Sequence, residues 1–260
     1  MNKMKKFKSK KVDALTIRIH DTSEEMAKAS ARHVANTLKQ VVNVLGKARL
    51  ILATGTSQIF FLDQLQKEVI PWDKITVFHL DEYVGIEDSH PACFRNYLKT
   101  RILDRVKPKK VFYLNGDAPS IDDEIERYSN ALSKHPIDLA CIGIGENGHL
   151  AFNDPGVANF DDPQLVKSVL LDQKCRQQQY DEGWFDTIEQ VPKEALTLTI
   201  PAIMNVQTIS CVVPETRKAK AVYDTLEGVI SEACPASVLR RHPNAFLFLD
   251  LASAAQLRNI

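Results

Sequence analysis

The chain is 260 residues long and carries 33 Lys and Arg against 33 Asp and Glu, a formal net charge of zero. That balance supplies no global field for nucleic acid or an anionic membrane, and no apolar stretch is long enough to span a bilayer. With 44% hydrophobic and 25% charged residues it has the composition of a soluble globular protein, enough for one large α/β domain or two small ones.

Residues 1–11 are basic and read as a solvated, flexible tail over 1–13, ahead of a single domain over 14–260. They lack the apolar segment of a signal peptide. Residues 15–19 alternate like a half-buried strand, and Thr22 with Glu25 has the spacing of a capping box. Ala27, Ala31, Val34, Leu38, Val41 and Leu45 recur at helical spacing up to a stop at Gly46. Residues 49–53 form an apolar strand that runs into Thr54, Gly55, Thr56 and Ser57, and a helix over 58–69 should follow. Strand, small hydroxyl-rich turn and helix aim backbone N–H groups at an anion. A plain N-cap role for Ser57 explains the same residues, and the turn is neither a Walker loop nor G-x-G-x-x-G.

The spacing predicts a third strand over 75–80, with His79 and Asp81 on one face and Glu82 on the other. Adjacent acids at a strand's carboxyl end are costly to desolvate unless used or paired, so they are a candidate general base or else a solvated loop. A helix over 90–102, a short strand over 111–114, an Asn115-Gly116 turn and a charged helix over 121–133 come next. Residues 139–144 are a continuous apolar run, typical of a strand buried on both faces. The run breaks at Gly143, Gly145 and Gly148 amid Glu146, Asn147, His149, Asn153 and Asp154. Ligands of open α/β sheets sit beyond strand carboxyl ends. The break is therefore an acid/base site, or a glycine turn whose Asn and Asp bond only the backbone.

Residues 165–171 resemble a strand, whereas 173–181 are polar and match no element. Strands over 195–199 and 208–213 follow, each leading into a helix, and Lys218 falls on the second of those turns, where it suits a phosphate or is merely solvated. A helix over 235–240, a strand over 245–249 and a final short helix close the chain. The five cysteines are odd in number and scattered, without a C-x-x-C pair. They fit buried thiols in a reducing compartment better than disulfides or a zinc site, and the chain reads as cytoplasmic. The alternation of strands and helices argues for one doubly wound, mostly parallel, Rossmann-like sheet with helices on both faces.

Three stretches together resemble the glucosamine-6-phosphate deaminase family, which shares a fold with 6-phosphogluconolactonases. They are Leu-Ala-Thr-Gly-Thr-Ser over 52–57, His-Leu-Asp-Glu-Tyr-Val-Gly over 79–85 and Gly-Ile-Gly-Glu-Asn-Gly-His-Leu-Ala-Phe-Asn-Asp-Pro over 143–155, with Val-Pro-Lys-Glu-Ala-Leu-Thr over 191–197 as a fourth. The resemblance implies a cofactor-free, metal-free isomerisation and deamination of an amino-sugar 6-phosphate, glucosamine or its galactosamine epimer. It implies proton transfer by Asp81 and ring opening by His149, supported by Asn147 and Asp154. It places phosphate at Thr54, Gly55, Thr56, Ser57 and Lys218, with Glu82 and Gly145 lining the substrate site. The best-known branch has a carboxylate where Asn147 stands and a Glu where Asp154 stands. It also uses an arginine for phosphate that the region after Cys175 lacks, and Arg176 is the candidate to substitute. A lactonase, a sugar-phosphate-sensing module and a weakened binder are the alternatives. The expected partner is a small sugar phosphate, with neither nucleic acid nor membrane, and a homo-oligomer remains open.

Overall fold

Strand and helix alternate along nearly the whole chain in the computed structural model, which describes residues 8–171, 173–181 and 183–258. β1 (Lys8–Val12) and β2 (Leu15–His20) form an antiparallel hairpin. Part of the expected flexible tail is therefore a paired edge strand, and Asp13 in the hairpin turn bonds Arg240; residues 1–7 lie outside the described residues. This five-residue stretch carries no apolar alternation, so its strand state rests on backbone pairing with β2 and on Val12, which packs against the core.

α1 (Ser23–Leu45) opens on Thr22, whose hydroxyl accepts the Glu25 N–H at 3.2 Å, and stops at Gly46 with φ 70°. Its face buries Met26 to Leu38, but Leu45 is 60% exposed. A helix of this length runs to about 34 Å against about 17 Å for a five-residue strand, so its last turns overhang the sheet. β3 (Ala48–Leu52) leads through a 3-10 turn (Thr56–Gln58) to α2 (Ile59–Leu65), shorter than the helix expected over 58–69. Beyond it the backbone tightens to i→i+3 bonds, Lys67 to Gln64 and Glu68 to Leu65, and Val69 is left exposed.

β4 (Ile75–His79) and β5 (Asp81–Tyr83) are separated by Leu80 alone. α3 (Phe94–Leu98) passes through a π turn (Lys99–Leu103) into α4 (Asp104–Val106), then come β6 (Lys110–Phe112), α5 (Ile121–Ser133) and β7 (Leu139–Ile142). β8 (Val166–Leu170) precedes α6 (Gln173–Asp181), the polar segment that periodicity could not place. β9 (Glu194–Leu198), α7 (Ile200–Met204), β10 (Thr208–Val213), α8 (Ala219–Glu227), a 3-10 helix (Pro235–Arg241) and β11 (Ala245–Asp250) complete the order. The final helix expected after β11 is a run of turns.

Among the described residues the main sheet has eight strands in the order β1-β2-β11-β10-β7-β3-β4-β6, parallel throughout except for the β1–β2 hairpin. Leu50 and Leu52 pack with α1 and α2 on one face, while Ile51 and Ala53 pack with Tyr128, Ile203 and Val222 on the other. Helices thus cover both faces, as the apolar runs required. The chain winds outward through β3, β4 and β6, then returns to β7, β10 and β11, so its direction reverses between β3 and β7. A second, three-stranded antiparallel sheet, β5-β9-β8, was not foreseen. No helix among the described residues is long and apolar enough to cross a membrane.

Candidate active site

The turns after β3, β7 and β10 and the start of β5 enclose one cleft at the reversal point, where open α/β sheets bind ligands. Thr54, Gly55, Thr56, Ser57, Asp81, Gly145, His149 and Lys218 line it, together with Phe94, Phe152, Gln179 and Arg217. The β3 turn needs glycine at 55, where φ is 95°, and the Gly55 carbonyl accepts the Tyr97 hydroxyl at 2.9 Å. Buried Gln58 reaches Ser57 Oγ at 3.2 Å and the Val212 carbonyl at 3.4 Å, so the β3 and β10 turns are held to each other.

Asp81 enters the cleft because the chain leaves β4 at Leu80 and joins the small sheet, which resets the alternation. The expectation that His79 and Asp81 share a face fails for that reason. His79 is fully buried, 4.0 Å from Glu82, outside the cleft lining. Burial pulls His79 down to about 3 and the Arg95 charge adds to it, so the imidazole is neutral. Burial pushes Asp81 up to about 8, and the neighbouring Glu82 charge adds to the effect.

Glu82 is not in the cleft either, contrary to expectation. Its carboxylate accepts the N–H groups of Phe94 at 3.0 Å and Arg95 at 2.9 Å and lies 3.6 Å from Arg95 Nε. Those donors sit at the start of α3, whose orphan N–H groups need an acceptor, so Glu82 anchors that helix. Burial raises its pKa in spite of these bonds.

The imidazole of His149 lies against Gly145: a Cβ added there would sit 2.1 Å from Nε2. His149 Nδ1 is 2.9 Å from Asp154 Oδ1, which also accepts Asn147 Nδ2 at 2.8 Å. Asn147 Oδ1 in turn accepts the His149 N–H at 3.1 Å. Asn147 and Asp154 thus stand behind the imidazole, outside the cleft lining. Burial acts to raise the pKa of Asp154, but the bonds from His149 and Asn147 outweigh it and hold it below the usual carboxylate range. A charged Asp154 favours the tautomer with the proton on Nδ1, which makes Nε2 the acceptor nitrogen of the neutral ring. The shorter carboxylate reaches the ring, and the amide serves that carboxylate. The loop is fastened to the small sheet, with Phe152 N–H on Thr197 Oγ1 at 3.1 Å and Asn153 Nδ2 on the Leu198 carbonyl at 2.8 Å.

Lys218 ends a 3-10 turn (Thr216–Lys218) between β10 and α8, and only 4% of it is exposed although it lines the cleft. Arg176 does not join it. Its guanidinium bonds the carbonyls of Ile188 at 2.5 Å and Val191 at 3.2 Å, and α6 turns Gln179 toward the cleft instead. Gln179 Oε1 accepts the Tyr83 hydroxyl at 2.6 Å. Sequence reading missed Gln179 because a polar helix without apolar period gives no facing. Arg217 was within reach, being one residue from Lys218 on the same turn. Among the described residues no three of His, Cys, Asp and Glu are placed to hold a metal ion.

Residues 21–247 match the family of glucosamine-6-phosphate isomerases and 6-phosphogluconolactonases. The chain belongs to this family. Glucosamine-6-phosphate deaminases of Bacillus thuringiensis (strain Al Hakam) and Bacillus cereus (strain AH820) are each 34% identical to it over 236 residues, 91% of this chain and 87% of theirs. A solved monomeric glucosamine-6-phosphate deaminase matches it with a TM-score of 0.84 at 32% identity, covering 93% of this chain and 99% of that one. A 6-phosphogluconolactonase of Shewanella baltica OS155, at a TM-score of 0.75 and 19% identity over 90% of this chain and 97% of its own, shares the fold.

Proposed function

We propose that this member of the family converts an amino-sugar 6-phosphate, glucosamine 6-phosphate in preference to its galactosamine epimer, to the ketose 6-phosphate and ammonia. The observation that carries the reading is one cleft holding a buried carboxyl, an oriented imidazole, a hydroxyl-rich turn and a buried lysine, in a chain a third identical to deaminases. Lys218 and the turn from Thr54 to Ser57 hold the phosphate. His149 moves a proton from the anomeric hydroxyl to the ring oxygen, which opens the ring. Asp81, as carboxylate, takes the proton from C2 and returns it to C1. In the same isomerisation the substrate's ammonium group gives up a proton and O1 gains one, which leaves a hydroxymethyl group at C1 and an iminium at C2; the iminium adds water and loses ammonia, so one water is consumed and the products balance. A carboxyl poised near neutrality is matched to repeated proton transfer. Five free, buried cysteines support a reducing, cytoplasmic setting.

The test is to incubate the protein with glucosamine 6-phosphate, galactosamine 6-phosphate and 6-phosphogluconolactone and to follow ammonia, ketose phosphate and acid. Ammonia from glucosamine 6-phosphate is expected; acid from the lactone alone would transfer the reading to a lactonase. Asp81→Asn should abolish turnover while sugar-phosphate binding stays measurable by calorimetry. Undiminished turnover would place the base elsewhere. Lys218→Ala should mainly raise KM, since phosphate contacts are shared by ground and transition states.

A further inference from the structure

Arg217 bridges three turns at the mouth of the cleft. Its Nη1 lies 2.8 Å from Glu146 Oε1 in the β7 turn, its Nε 2.6 Å from Glu215 Oε2, and its Nη2 2.8 Å from Thr56 Oγ1 in the β3 turn. Thr56 and the adjacent Lys218 belong to the phosphate subsite proposed above, so the guanidinium reaches the same groups that would hold the ester. A phosphate ester carries close to two negative charges near neutrality, and Lys218 offsets one of them. Arg176, the other candidate cation, is committed to the carbonyls of Ile188 and Val191. A planar guanidinium suits phosphate oxygens better than a second ammonium would.

Glu146 and Glu215 are exposed, at 41% and 43% of their side chains. Exposed pairs are weak, and a carboxylate released there returns to water without a buried charge being stranded. The strained backbone supports a built position, because Glu215 holds φ 78°, unusual for a residue other than glycine, and its N–H bonds Asp250 Oδ2 at 3.2 Å. We propose that Arg217 is the second cationic ligand of the substrate phosphate, and that Glu146 sets the phosphate affinity by competing for the same guanidinium. Ligands without phosphate do not repay that exchange, so the pair sharpens selection against unphosphorylated amino sugars. The inference rests on the phosphate reading of the cleft and not on the deamination chemistry.

The experiment titrates inorganic phosphate into the wild type, Arg217→Gln, Glu146→Gln and the double variant by calorimetry at fixed ionic strength, with melting curves to verify folding. Arg217→Gln should weaken phosphate by about tenfold or more, the loss expected for a charged hydrogen bond. Glu146→Gln should tighten it several-fold, and that gain should vanish when Arg217 is also replaced. Arg217→Lys, which keeps charge without the fork, should recover part of the affinity. Equal phosphate affinity in Arg217→Gln and the wild type, a Glu146→Gln effect that persists without Arg217, or no phosphate binding by the wild type would each overturn the proposal. Phosphate binding that follows the expected pattern, without ammonia release by the wild type, would sink the deaminase reading and leave Arg217 in its role.

Discussion

Asp81 and Glu82 are neighbours in sequence whose pKa values burial raises alike, but Asp81 lines the cleft while Glu82 holds the start of α3. Asp81 acts as a base only when deprotonated, so with its pKa raised to about 8 the free-enzyme kcat/KM should climb with pH toward that value. Glu82→Gln removes the charge that adds to the shift, and the rising limb should move to lower pH. A limb that stays in place would show that burial alone sets it. The same variant takes a carboxylate from beside buried Arg95 and should destabilise the fold by about 3 kcal/mol. For stability the sign is opposite to that of an ordinary salt-bridged acid. Between the usual carboxylate range and about 8, folded Asp81 keeps a proton that the unfolded chain has lost, so its contribution falls as pH rises through that window. Asp81→Asn should therefore gain melting temperature over the wild type from pH 4 to pH 8, and a constant difference would contradict a raised pKa. The candidate acids could be picked out in the sequence because two charges closing an apolar strand are conspicuous. Which one faces the cleft could not, since that depends on a change of sheet at Leu80.

Elements with strong period were readable and those without were not. The capping box at Thr22, the apolar face of α1 and the buried run of β7 all carry local signals that tertiary structure upheld. α6 has no apolar period, so neither its helicity nor the outward turn of Arg176 could be read. The glycine break after β7 was visible as a break, yet its reason is a contact. Gly145 has no positive φ, and the atoms nearest to an added side chain are those of the imidazole lying on it. Gly145→Ala should displace His149 and lower kcat by about 100-fold, the cost of misplacing a reacting group by roughly an ångström. Steady-state kinetics beside a melting curve would check it, and a variant with full turnover would remove His149 from the chemistry.

The main sheet ends on β1 at one side, and that strand was the least expected part of the fold. Its exposed Lys10 and Lys11 charge an edge that would otherwise invite pairing with another chain. Removal of residues 1–12 uncovers β2, whose Leu15, Ile17 and Ile19 are buried in the core. The truncated protein should melt earlier and scatter light on warming, while the cleft, built on the turns after β10, β7 and β3, keeps its turnover at low temperature. An unchanged melting curve would mean that β1 contributes nothing to the sheet. One further consequence follows from the presence of two sheets. Asp81, the base proposed above, rides on the small one and the imidazole on a loop of the large one, joined through Thr197 and Asn153. Neither residue lines the cleft, yet the two act as the spacer between carboxyl and imidazole. Wear at either position would surface as misaligned chemistry with the affinity intact.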